Sequence, residues 1–126
     1  MKYVVASGRL LYSLIFILSG PGHFKAGTIA YAANQGVPLA FLAVPFSGVL
    51  AVLGGLSIAL GYKAKWGAWL LVLFLVPVTI MMHRFWGLSD PQAAMMQHIN
   101  FMKNASMLGG ALFVAYFGSG PLSLKD

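Results

Sequence analysis

Long apolar blocks alternate with short polar segments along this chain. The blocks cover residues 3–20, 38–60, 66–86 and 99–117. Each approaches or reaches the roughly 20 residues that an α-helix needs to cross a hydrocarbon core of about 30 Å. A helix satisfies its backbone hydrogen bonds within its own segment, as lipid requires. The pattern therefore predicts an all-α integral membrane protein, a bundle of four transmembrane helices that forms one domain over residues 1–126.

Local signals place the ends of these helices. Trp66 and Trp86 are twenty residues apart, or about 30 Å along a helix, which matches aromatic belts at the two interfaces. Pro38 fits the first turn of the second helix. The paired glycines Gly54–Gly55 and Gly109–Gly110 predict faces where helices approach closely.

The last helix should be longer than the bilayer core. Asp90–Pro91 is a helix start signal, and a helix from Pro91 to Phe117 would be about 40 Å long. Its first turns should therefore form a short outer helical extension that leads into helix 4. This length places the outer boundary near Gln97 and puts Lys103 roughly 8 Å inside it.

Composition supports the membrane class and excludes others. The chain is 60% hydrophobic and 8% charged, whereas soluble domains carry about a quarter charged residues. The net charge of +6 comes from residues at segment ends rather than from a run, so we expect no nucleic-acid partner. The absence of cysteine excludes disulfides, thiolate metal sites and thiol relays.

Basic residues also predict the orientation in the membrane. Four spans would put Lys2, Lys63, Lys65 and Lys125 on one side, against Lys25 and Arg84 on the other. The positive-inside rule then predicts both termini and the Tyr62–Lys65 loop in the cytoplasm.

Lys103 is the leading candidate for a functional residue. It lies with Asn104 in the last apolar block, and the apolar blocks contain no Asp or Glu. An intramembrane cation without a carboxylate partner is a functional-site hypothesis by default. We expect Lys103 and His83 to face into the bundle, in a pocket at its outer end that suits a quinone carbonyl, a phenolate or a small oxyanion. The predicted ligand-binding residues are Arg9, His23, His83, Trp86, Lys103 and Asn104.

In this hypothesis Lys103 and Asn104 contact the ligand oxygen, and His83 orients the ligand or exchanges a proton. A lipid phosphate is the alternative partner for the basic residues. Two clusters could suggest copper(I), Met81–His83 and Met95–His98, but neither has a strong metal-site spacing, so we predict no metal. No carboxylate pair, phosphate loop or metalloprotease motif is present, so catalytic residues stay unassigned.

The chain resembles the DoxX family of small bacterial four-helix membrane proteins. The resemblance covers nearly the whole chain, and five groups of residues carry it: Arg9 with Ser19–Gly20 and His23–Lys25, Gly54–Gly55 with Leu60–Gly61, His83 with Phe85–Trp86, Phe101 with Lys103–Asn104 and Gly109–Gly110, and Gly118–Leu124. Many family members carry a glutamate before the paired glycines of the second helix. This chain has Leu50–Leu53 there, without an acid.

The resemblance implies a membrane subunit near quinone or sulfur redox chemistry. Relatives include a subunit of a thiosulfate:quinone oxidoreductase, members linked to quinone and catechol detoxification, and a membrane partner of a sulfurtransferase and a superoxide dismutase. It also implies a location in the bacterial inner membrane and a redox enzyme as partner. Because the chain has no cysteine and no evident haem motif, we expect no intrinsic cofactor, and a quinone is the candidate bound cofactor. The alternative is a scaffold that recruits soluble redox enzymes and binds nothing small. A small transporter ranks last, because the two halves show no repeat. Small-residue faces also leave a homo-oligomer open.

Overall fold

The computed structural model describes residues 1–124, and within them the chain is helical with no strands. Helix α1 spans Lys2–Ser19 and continues into a short 3₁₀ helix, Gly20–Phe24. The later helices are α2 (Ala26–Asn34), α3 (Ala40–Leu60), α4 (Ala64–Met82) and α5 (Pro91–Phe117). Four long helices and the short α2 confirm the predicted all-α class.

Three helices are long and apolar enough to span a membrane: Lys2–Phe24 including the 3₁₀ turn, Ala40–Leu60 and Ala64–Met82. Helix α5 holds the fourth predicted span and has 27 residues, which gives about 40 Å of length. Helix α5 is more polar than the other long helices because it contains Asn and Gln side chains as well as His98 and Lys103. It is therefore not among the three candidate spans. The architecture is a helical membrane bundle whose last helix differs in composition from the others.

Helix α3 lies between α1 and α4, and α5 packs against α4. The hydroxyl of Tyr12 in α1 donates to the backbone carbonyl of Met107 in α5, which closes the bundle. The core consists of apolar side chains from all four long helices: Phe16, Leu50, Ala51, Ile58, Ala64, Ala68, Leu71, Phe74, Leu75 and Ala111.

Glycines allow the close helix approach that the sequence predicts. A Cβ atom on Gly54 would lie 2.8 Å from the carbonyl oxygen of Gly67, so α3 and α4 meet almost backbone to backbone. Gly55, on the next face, lies against Phe16 of α1. Of the two paired glycines in α5, only one packs closely: Gly110 contacts Tyr12, whereas Gly109 has open space beside it.

Two predicted boundaries are wrong. Leu39 adopts a left-handed conformation with φ of 50°, so α3 begins at Ala40 and Pro38 lies before it. Helix α4 ends at Met82, and Trp86 lies in the loop beyond, in edge-to-face contact with Phe101 of α5. Contacts of the 83–86 segment with other helices replace the last helical turn there. The short helix α2 was not predicted.

The predicted start of the last helix is confirmed. Helix α5 starts at Pro91, and a carboxylate oxygen of Asp90 accepts a hydrogen bond from the backbone N–H of Gln92 at 3.2 Å. The chain also returns to its starting end, since the Leu124 N–H donates to the Leu60 carbonyl at 3.2 Å. The N-terminus, the α3–α4 turn and residues 118–124 therefore share one end of the bundle. Lys125 lies outside the described residues.

Candidate ligand cavity

A mainly apolar cavity of about 220 Å³ lies at the opposite end of the bundle. The 3₁₀ helix, α2, α3 and α4 surround it. Four of its lining side chains can form hydrogen bonds: His23, Thr28, Ser47 and His83. The remaining lining residues are Ala32, Val37, Ala43, Val44, Pro77, Val78, Met81 and Met82. No Lys or Arg lines the cavity, so it offers a neutral surface with a few polar groups.

His23 is held by the backbone that precedes it. Its Nδ1 lies 3.2 Å from the carbonyl oxygen of Ser19 and 3.1 Å from that of Gly20. Carbonyls only accept hydrogen bonds, so neutral His23 carries its proton on Nδ1 and leaves a lone pair on Nε2. The ring also makes an edge contact with Phe74, with centroids 5.5 Å apart.

His83 is held by a chain of side chains from other helices. Its Nδ1 lies 3.0 Å from Oε1 of Gln97 in α5, and Nε2 of Gln97 donates to the Tyr31 hydroxyl in α2 at 3.4 Å. Next to it, the guanidinium of Arg84 donates to the carbonyl of Gln35 at 2.8 Å. These contacts fix the α4–α5 loop against α2, which forms one wall of the cavity.

Lys103 and Asn104 do not line this cavity. Lys103 is exposed in a shallow depression with His98, Ile99, Met102 and Ser106 on the outside of α5. The expectation that it faces into the bundle is wrong. Within residues 1–124 its ammonium has no hydrogen-bond partner, and a long side chain at this depth can extend towards the headgroups instead of entering the core. Asn104 is partly buried beside it.

Trp86 is also outside the cavity. It belongs to an aromatic group with Phe85, His98 and Phe101, in which the rings of Phe85 and His98 stack with centroids 4.3 Å apart. This group packs the α4–α5 loop onto α5. Of the six predicted ligand-binding residues, His23 and His83 alone meet in the cavity.

Arg9 lies at the other end of the bundle and is only 7% exposed. Its guanidinium donates to the carbonyl of Ser119 at 2.5 Å and to that of Leu122 at 2.7 Å. The Ser119 hydroxyl in turn accepts from the Ala64 N–H at 3.3 Å. Arg9 therefore holds the C-terminal segment onto α1 and the start of α4, and it takes no part in the cavity.

Comparison with known proteins now identifies the family. The DoxX family model matches residues 4–84, more than half of the chain. The chain belongs to the DoxX family. The inner membrane protein YphA of Escherichia coli is 31% identical over 118 residues, which cover 92% of this chain and 84% of YphA.

A more distant relative is the ER-derived vesicles protein ERV29 of Saccharomyces cerevisiae. It is 25% identical over 127 residues, which cover 97% of this chain and 41% of the yeast protein. No solved structure matches the chain. The comparisons thus agree with the membrane bundle, and the cavity is described from the geometry of this DoxX chain alone.

Sequence reasoning missed Ser47, Gln97 and Tyr31. Ser47 reads as one more small residue in an apolar helix, and no motif marks it. Gln97 follows Met95–Met96 and reads as part of the outer extension. The usable signal was helical spacing: Ala40, Val44 and Ser47 recur at three to four residues and form one face of α3.

Gly48 is the residue that lets His23 approach α3. A Cβ atom there would lie 2.7 Å from both the Gly20 carbonyl oxygen and the Cβ of His23. Gly48→Ala should therefore displace His23 and lower the free energy of unfolding by about 1–3 kcal/mol. The matched control is Gly109→Ala, which has open space and should change it by about 0.5 kcal/mol at most. Thermal unfolding in detergent measures both, and equal losses would contradict the assignment.

Proposed function

We propose that this DoxX protein binds a small, largely apolar, quinone-like ligand in the cavity that His23 and His83 line. The single observation that supports the proposal is the cavity itself, which combines apolar walls with two imidazoles fixed by hydrogen bonds. Ligand sites typically pair an apolar lining with a few well-placed polar groups. The volume of about 220 Å³ suits one aromatic ring, since an engineered cavity of roughly 150 Å³ holds benzene.

The same geometry argues against a small anion in this cavity. An oxyanion in an apolar site needs a cation or several hydrogen-bond donors. The cations that sequence reasoning offered lie elsewhere, Lys103 on the outer face of α5 and Arg9 at the other end of the bundle. A neutral ring with oxygen substituents fits the lining better.

The protein would then act in the inner membrane, as the similarity to YphA supports. Without cysteine it has no thiol relay, so a redox enzyme beside it or the bound ligand would supply electrons. A scaffold that binds no small molecule is the alternative outcome of the experiment below.

The experiment is a titration of the purified protein in detergent with a short-chain ubiquinone analogue. His83→Leu should weaken binding about tenfold, or roughly 1.4 kcal/mol, because it removes a side chain that forms part of the cavity lining and the contact with Gln97 that fixes this lining. Lys103→Met should leave the dissociation constant unchanged within about twofold. Loss of binding in Lys103→Met with none in His83→Leu would contradict the cavity and restore the outer face of α5 as the site.

A further inference from the structure

We infer that the cavity selects ligands that donate a hydrogen bond, so that it favours a phenol or hydroquinone hydroxyl over a quinone carbonyl. The inference rests on the proposed function and names the ligand class of that same site. It follows from the donors and acceptors of the lining side chains that form no hydrogen bond within the protein and so can bind a ligand.

His23 and Ser47 can only accept. The His23 Nδ1–H is used on the carbonyls of Ser19 and Gly20, and its Nε2 has no partner among residues 1–124. The Ser47 hydroxyl donates to the Val44 carbonyl at 2.6 Å, which uses its one proton and leaves oxygen lone pairs. Both groups line the cavity from neighbouring elements, the 3₁₀ helix and α3.

His83 adds a third acceptor. With the Gln97 amide oxygen 3.0 Å from its Nδ1, His83 donates from that nitrogen and leaves Nε2 as an acceptor. Thr28 is the one lining side chain whose hydroxyl proton has no hydrogen bond within the described part of the chain.

The lining therefore offers three groups that can only accept a hydrogen bond, and one hydroxyl, that of Thr28, that can also donate. A quinone carbonyl can only accept, so it would pair with Thr28 and would bury other acceptors unpaired. A hydroxyl ligand donates to His23, His83 or Ser47 and satisfies one of them. Sites that hydrogen-bond a ligand hydroxyl discriminate strongly against analogues that lack it, because buried polar groups then stay unpaired. With no Lys or Arg in the lining, the hydroxyl should bind in its neutral form.

The test uses a redox-inert pair, a trimethylphenol and the methyl ether of the same ring, titrated into the native protein in detergent. The phenol should bind about tenfold more tightly than the ether, the effect of roughly one hydrogen bond. A hydroquinone, titrated under reducing conditions, should likewise bind more tightly than its quinone, titrated under oxidising conditions.

His23→Phe keeps the aromatic ring and removes the acceptor, and Ser47→Ala removes the hydroxyl with little change in volume. His83→Leu removes the third acceptor. The phenol preference should fall to about threefold or less in at least one of these three variants, and should persist in Ser106→Ala, which alters only the outside of α5. An ether that binds the native protein as tightly as the phenol would overturn this inference and leave the proposed function intact. A preference unchanged in all three variants, His23→Phe, Ser47→Ala and His83→Leu, would overturn it as well. If no ring compound binds at all, the proposed function fails too.

Discussion

Arg9→Leu is expected to lower the free energy of unfolding by about 2–4 kcal/mol and to release the C-terminal segment from the bundle. The guanidinium donates to the carbonyls of Ser119 and Leu122, and each charge-assisted hydrogen bond contributes about 1.5–3 kcal/mol. The loss is partly offset because the variant no longer buries a cation, whose desolvation is costly. The net effect stays destabilising because two carbonyls lose their partners.

Thermal unfolding in detergent measures the loss, and limited proteolysis of residues 118–124 reports the released segment. Arg9→Lys keeps the charge, but a lysine ammonium cannot reproduce the planar fork that reaches two carbonyls. It should therefore show an intermediate loss. Lys103→Leu is the matched control, since Lys103 is an exposed cation on a long helix and should change stability by about 0.5 kcal/mol at most. A larger effect from Lys103→Leu than from Arg9→Leu would contradict the assigned roles of the two cations.

Helix class, number of long helices and close glycine packing were predictable because they depend on local patterns. Apolar block length determined the long helices, and Asp90–Pro91 marked the start of α5 through a cap that depends only on neighbouring residues. Gly54–Gly55 indicated a packing face, since a missing Cβ allows backbones to approach whichever helix supplies the partner.

The boundaries that failed depend on tertiary contacts. Trp86 leaves α4 because its ring and that of Phe85 pack onto Phe101 of α5. Helix α2 is too short to stand out as an apolar block. Gln97 contacts its Tyr31, and Arg84 contacts Gln35 directly after its end, both from distant parts of the chain. No periodicity encodes such contacts.

Sequence patterns predicted only some of the cavity residues, because here too the outcome depends on tertiary contacts. Polarity in an apolar block marked both His83 and Lys103, but polarity alone does not give the direction of a side chain on its helix. Three of the groups that define the cavity chemistry are backbone carbonyls, those of Ser19, Gly20 and Val44. Every residue has a carbonyl, so the sequence cannot show which ones receive a side-chain donor.

Filling the cavity should have the largest effect on binding. Ala43 lines the cavity, so Ala43→Phe places a ring where the ligand ring would lie. The substitution removes no hydrogen bond, because the alanine side chain is a methyl group. The added ring fills much of the 220 Å³, which leaves too little room for an aromatic ligand. Binding of the ubiquinone analogue should weaken by at least a hundredfold, while the polar groups of the cavity stay in place.

The most direct test of the cavity as the ligand site is this titration, run side by side on the native protein, Ala43→Phe and Ala33→Phe. Ala33 is exposed on the outer side of α2, so its variant adds the same ring outside the cavity. The cavity account predicts a loss of at least a hundredfold in Ala43→Phe, with the dissociation constant of Ala33→Phe within about threefold of the native value. Native affinity in a folded Ala43→Phe protein would contradict it.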